Sequence, residues 1–254
     1  MNNESINSQN PYAKKSYAWY MVLLMTMAYM FSFIDRYILG LLIDPIKADL
    51  GLSDTQMGLL LGPAFAIFYA TMGLPLGYLA DRVKRVSIVS IGIFIWSLAT
   101  VASGFAQKFS HLFLARMTVG IGEATLSPCA LSMITDSFPE KNRGRPIGFY
   151  TMGMSFGPAI AYLSGAAVLI WSQSIDSIQI PLIGDIAPWQ LAFILVGFPG
   201  ILLAIFVYFL KEPPRKIDPN LENEEKPTIV EALKYFYSKA GAMCSFILPA
   251  CVMT

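Results

Sequence analysis

The sequence predicts an all-α membrane protein with six helical spans and the start of a seventh. Three observations carry that expectation. Of the 254 residues, 55% are hydrophobic and 14% charged, and the mean hydropathy is +0.55; a soluble domain carries about 25% charged residues. Six long apolar stretches follow one another, at 17–42, 55–80, 86–106, 112–137, 145–171 and 188–210. Each reaches the roughly 20 residues that a helix needs to cross a bilayer. Basic residues fall almost entirely in alternate connections, the bias that marks cytoplasmic loops.

The chain opens with a polar tail, 1–16, broken near Asn10 and Pro11. It lacks the short apolar core and small-residue cleavage site of a signal peptide, so the first span is expected to stay in the mature protein. Lys14 and Lys15 precede that span. Arg82, Lys84 and Arg85 follow the second, Lys141, Arg143 and Arg145 the fourth, and Lys211, Arg215, Lys216, Lys226, Lys234 and Lys239 the sixth. These are fourteen of the eighteen Lys and Arg. The opposite loops hold Lys47 and Lys108, while Arg36 and Arg116 lie within spans. The tail and the basic loops are therefore placed in the cytoplasm. Tyr17, Trp19 and Tyr20 at one face, and Trp171 and Trp189 at the other, fit interfacial aromatic belts.

The six spans, 17–210, form one expected bundle. A polar connection, 211–239, follows, interrupted by Pro213, Pro214, Pro219 and Pro227. Near its end Ile229, Ala232, Leu233 and Phe236 recur at helical spacing, which predicts an amphipathic helix on the cytoplasmic surface. The connection reads as a linker between two bundles. A seventh span begins near Ala240 and is cut off at Thr254.

Four charges lie inside spans: Asp35 and Arg36 in the first, Arg116 and Glu123 in the fourth. Each costs about 2.5–3.5 kcal/mol near the bilayer centre, which marks them as functional candidates. With a rise of about 1.5 Å per residue, Asp35 lies about 10 Å below the outer face, Arg116 about 6–8 Å and Glu123 about 17–18 Å. Asp35 and Arg116 can thus meet at one level. Asp35 and Arg36 point about 100° apart and need different partners. A buried ion pair that only orients helices is one reading. The other is a polar cavity in which Asp35 and Glu123 carry protons, Arg116 meets an anionic head group, and Arg36 lies nearer the wall or pairs across the bundle. Buried carboxylates bind protons more readily than exposed ones, and arginine offers two parallel hydrogen bonds to an anion.

Glycines recur at four-residue spacing in span two (Gly58 and Gly62, Gly73 and Gly77) and span five (Gly153 and Gly157, then Pro158), a pattern of close helix contact. Pro63, Pro75, Pro128 and Pro199 also lie in or beside spans. Cys129, Cys244 and Cys251 have no zinc or disulfide spacing and read as packing residues. His111 reads as an interfacial residue. The sequence holds no metal cluster, nucleophile–base pair or phosphate loop, so no enzyme, cofactor, metal or nucleic-acid partner is expected.

Several of these segments resemble the major facilitator superfamily. Gly77-Tyr78-Leu79-Ala80-Asp81-Arg82-Val83-Lys84-Arg85 is similar to its cytoplasmic signature G-x-L-A-D-R-x-G-R-[KR], with Lys84 at the late glycine and Val86 at the last basic position. Span four, from Arg116 through Gly120 and Gly122 to Glu123, resembles the variant R-x-x-x-G-x-G-E. Gly144, Gly153, Gly157 and Pro158 match the spacing of the fifth-span antiporter motif, while Ala161 and Tyr162 stand where that motif ends in glycines. Ser32 to Arg36 resembles N-x-x-D-R, with Ser32 at the Asn position, and Trp189 to Phe193 resembles the sixth span.

Together these segments look most like the Spinster branch, bacterial members included, over 17–254. The resemblance implies twelve spans in two bundles, of which this chain supplies the N-terminal one, partnered by a C-terminal bundle and membrane lipids. It implies proton-coupled transport of a lysophospholipid or sphingolipid-like solute, with Gly77, Asp81, Arg82 and Arg85 as a cytoplasmic gate. Organic-anion symporters of the superfamily share the Asp-Arg segment and leave the substrate class open. The rival readings are a dimeric half-size transporter and a non-transporting receptor or scaffold.

Overall fold

The computed structural model describes residues 14–172, 178–180 and 184–215. One compact unit ends at Arg215; the second, Lys216–Thr254, lies outside the described residues. So do the tail 1–13, the expected surface helix at 228–237, the seventh span, Cys244 and Cys251.

Span one is a single helix, α1 (Lys15–Leu41), followed by a short helix, α2 (Ile43–Leu50). The left-handed Gly51 (φ +61°) closes α2. Span two is two collinear pieces, α3 (Asp54–Leu61) and α4 (Pro63–Ala80). Ser53 starts α3 with a reciprocal cap: its Oγ accepts from the Gln56 N–H at 3.3 Å, and Gln56 Oε1 accepts from the Ser53 N–H at 2.9 Å. The break falls at Gly62, because Pro63 has no N–H to continue the ladder and is suited to a first helical position.

Span three is α5 (Arg85–Ser103). Span four is α6 (Phe109–Glu123) and α7 (Leu126–Ser137). The interruption at Ala124 and Thr125 lies four residues ahead of Pro128, where the proline ring collides with the helical carbonyl. Span five is α8 (Gly144–Thr151) and α9 (Gly153–Ser172), and span six is α10 (Pro188–Tyr208). Between them β1 (Ile178–Ile180) and β2 (Gly184–Ile186) pair antiparallel, with Ile178 opposite Ile186; the sequence reading did not include this ribbon. Among the described residues, the rods of spans one, two, three, four and six are long and apolar enough to cross a membrane.

Span five packs on one, two on four, three on six and on four, and six on one. Exchanging the first three spans with the last three returns this same set, while the further contact of spans five and six has no comparable counterpart between two and three among the described residues. That invariance is the mark of two three-helix repeats related by a pseudo-two-fold axis. Spans one and four become equivalent central helices, so their charges face each other. One buried apolar cluster gathers around Met21, Met25, Trp96 and Met133, and another around Ile38, Leu42, Leu112 and Phe193. Along α1, Asp35 and Arg36 fall between the two clusters.

Glycine placement corrects part of the packing expectation. In span five, a Cβ on Gly157 would lie 2.5 Å from Phe33 Cβ and 2.7 Å from the Met30 carbonyl, and one on Gly153 2.9 Å from the Thr26 carbonyl. Those glycines do set close contact. In span two, Gly58, Gly73 and Gly77 face open space, and Gly62 nears only the Gly58 carbonyl of its own span. The close approach of span two depends instead on Gly120 of span four, whose Cβ would stand 2.7 Å from the Phe65 carbonyl. Trp189 also differs from the belt expectation. It is buried within the second apolar cluster, and its indole N–H donates to Asp49 Oδ2 at 2.9 Å.

Candidate functional site

Adjacent residues on α1 meet residues two turns apart on α6, and two ion pairs result. In the first, Arg116 Nη1 lies 3.3 Å from Asp35 Oδ2, and Arg116 Nη1 and Nη2 both donate to the Asp35 main-chain oxygen at 3.2 Å. Thr100 of span three donates to Asp35 Oδ1 at 2.7 Å, and the Phe193 ring centroid lies 5.6 Å from the Arg116 guanidinium carbon. The side chains of Arg116 and Asp35 are 4% and 3% exposed. This pair is sealed, and both carboxylate oxygens have partners.

In the second pair, Arg36 Nε and Nη2 approach Glu123 Oε2 at 2.8 and 2.5 Å. The Glu123 side chain is 0% exposed, but that of Arg36 is 27% exposed. Glu123 Oε1 is buried without a hydrogen-bond partner among the described residues. Three rings surround the Arg36 guanidinium carbon: Phe65 at 4.6 Å, Tyr69 at 5.0 Å and Phe33 at 5.1 Å.

The structure brings all four charged candidates together: Asp35 meets Arg116 at one level, and Arg36 pairs across the bundle with Glu123. Arg116, expected to face an anionic head group, is saturated by Asp35 and closed from water. The accessible cation is Arg36, and Glu123 pairs with it rather than with Arg116. Thr100 and the rings of Phe65 and Tyr69 were missed. The i, i+4 spacing of the two rings placed them on one face of span two, but nothing in the sequence said which way that face turned.

At the end of the bundle where spans two and three meet, Arg85, 2% exposed, is a hub. Its Nε donates to Glu212 Oε1 at 2.8 Å, its Nη1 to Ser132 Oγ at 2.7 Å and Asp136 Oδ2 at 2.5 Å, and its Nη2 to the Pro213 carbonyl at 2.9 Å. Glu212 Oε2 accepts from the Val86 N–H at 3.0 Å, so an anion sits at the N-terminus of α5, where the helix dipole favours it. Arg215 donates to the carbonyls of Ala80 at 2.8 Å, Val83 at 2.6 Å and Asp81, satisfying orphan groups at the end of α4. Arg82 lies over the Tyr78 ring at 4.3 Å. The signature loop is thus tied down by Asp136, Glu212 and Arg215, none of which the signature itself contains. Gly153, Gly157 and Pro158 lie in span five, away from both networks in sequence.

Comparison with known proteins places this geometry. The chain is 34% identical over 189 residues to a probable L-galactonate transporter of Escherichia coli (strain K12), covering 74% of this chain and 38% of that protein. It is 33% identical over 212 residues to protein spinster homolog 1 of Xenopus tropicalis, covering 80% and 37% respectively. The crystal structure of a bacterial homologue of the human lysosomal transporter Spinster, inward-facing and unoccupied, superposes with a TM-score of 0.73 at 37% identity, covering 90% of this chain and 50% of that one. The chain thus spans about two fifths to one half the length of these relatives. The family model described as Major Facilitator Superfamily matches residues 25–254. With most of its length matched and its spans set as inverted repeats, the chain belongs to the Major Facilitator Superfamily of integral, multi-pass membrane proteins.

Proposed function

We propose that this chain is the N-terminal bundle of a secondary transporter that moves an organic anion together with a proton. The observation that carries the reading is the Arg36–Glu123 pair: a fully buried carboxylate with one oxygen unpartnered among the described residues, holding a cation that is partly exposed. A proton taken by Glu123 cancels the charge that holds Arg36. The guanidinium can then grip a carboxylate or phosphate through two parallel hydrogen bonds. Proton and anion thereby bind cooperatively, which couples their movement. Asp35, satisfied by Arg116 and Thr100, keeps spans one, three and four in register. A second six-span bundle completes the site at the midplane, and the two bundles rock to expose it alternately. The N-terminus faces the cytoplasm of a bacterial inner membrane, as the Lys and Arg bias indicates.

A sugar acid of the galactonate type is the first substrate class, supported by the name of the Escherichia coli relative. A lysophospholipid or sphingolipid-like amphiphile is the second, supported by likeness to the Spinster homologue over 90% of this chain. The test is uptake by the full-length protein in proteoliposomes, with and without an inward proton gradient, offering L-galactonate in one arm and a lysophospholipid in the other. Wild type should concentrate one of them when the gradient is imposed, while Glu123→Gln should lose the response to the gradient. Normal gradient-driven uptake by both Glu123→Gln and Arg36→Ala would sink the proposal. Binding without flux would instead favour a receptor.

A further inference from the structure

Arg36 has two kinds of partner, and a proton removes only one. Its long stem has several rotatable bonds. Once Glu123 is neutral, nothing in the ion pair stops the guanidinium from leaving the place where an anion is to be met. The second partner is the set of rings. Phe33 lies one turn before Arg36 on the same face of α1. Phe65 and Tyr69, one turn apart on α4, stack on each other at 5.3 Å between centroids, and both stand within 5.0 Å of the guanidinium carbon. Their delivery depends on Gly120: a Cβ there would lie 2.7 Å from the Phe65 carbonyl and 3.3 Å from the Tyr69 nitrogen. Any larger residue would push span two, and the rings, off the cation.

We infer that Phe33, Phe65 and Tyr69 are positioning residues that keep the Arg36 guanidinium at the mouth of the site when Glu123 no longer holds it. The inference rests on the reading of Arg36 as the anion-binding cation. Rings attract a cation through their quadrupole, whatever the charge state of a nearby carboxylate. The rings present their faces to the guanidinium carbon, whereas anions are recognised by the N–H groups on its edge. Cage and anion therefore do not compete. The cage also shields the cation from water, which strengthens the pairing that an arriving anion makes.

The test reads Arg36 directly and needs no substrate. In the full-length protein, the rate of phenylglyoxal addition to Arg36 is followed by mass spectrometry of the peptide that carries it. Arg85, buried in its own network, serves as the control for folding. Wild type and Glu123→Gln are compared with Glu123→Gln combined with Phe65→Leu, with Tyr69→Leu and with Tyr69→Phe. Glu123→Gln alone should label little faster than wild type. Either leucine variant should label roughly tenfold faster, while Tyr69→Phe, which keeps the ring, should stay protected. Full exposure in Glu123→Gln alone, or protection that survives both Phe65→Leu and Tyr69→Leu tested one at a time, would overturn the assignment. Failure of the transport reading shows elsewhere, as gradient-driven uptake that ignores Arg36 and Glu123, and leaves the labelling result standing.

Discussion

Asp35 and Glu123 are both acids in the middle of a membrane bundle, yet their surroundings assign them different work. Asp35 has Arg116 on one oxygen and Thr100 on the other, while Glu123 uses one oxygen on Arg36 and leaves the second without a partner among the described residues. Asp35→Asn leaves Arg116 as an uncompensated buried charge and should destabilise the protein by about 3–5 kcal/mol. Glu123→Gln should cost clearly less, because Arg36 keeps the rings and reaches solvent. Thermal unfolding of the two variants in the same detergent checks the order; equal losses would mean that the two pairs are alike. The existence of these charges was legible in the sequence, since a charge in a span is costly enough to stand out. The identity of Glu123's partner was not, because whether Arg36 or Arg116 reaches Glu123 depends on helix rotation and on which arginine the rings accept.

Among elements, the glycines separate into two kinds that a four-residue repeat does not distinguish. Gly120 and Gly157 press against the main chain of a neighbouring span, whereas Gly73 has nothing within 4 Å of where its Cβ would be. Gly120→Ala and Gly157→Ala should each cost about 1–3 kcal/mol through overpacking. Gly73→Ala should change stability by less than about 0.5 kcal/mol, and melting temperatures of the three variants test the contrast. Five of the six expected spans return, among the described residues, as helices long and apolar enough to cross a membrane, and all were read from apolar length. The interruptions at Gly62 and at Ala124–Thr125 were less readable: Pro63 and Pro128 announced a disturbance, but a proline can kink a span or break it. The ribbon between spans five and six left no recognised mark in the sequence.

For the molecule as a whole, Arg85 joins the start of span three, the end of span four and the segment after span six through four acceptors. Arg85→Ala should destabilise the bundle by about 3–5 kcal/mol, since Asp136 and Glu212 lose a shared buried cation. Arg85→Lys should recover little, because a single ammonium lacks the planar fork that serves acceptors on several sides. Unfolding of both variants beside wild type decides the point, and full recovery by lysine would reduce the hub to a simple charge.

Gly73 and Gly77 share one flank of span two, where an added Cβ would meet nothing within 4 Å among the described residues. A helix lying along that flank would touch bare backbone at two successive turns. It could travel along the rod without any side chain having to change rotamer, so the surface is a smooth rail rather than a toothed one. A tooth can be added: Gly73→Leu should leave the melting temperature of the full-length protein unchanged but slow the uptake proposed for it, and unaltered uptake would show that nothing slides there.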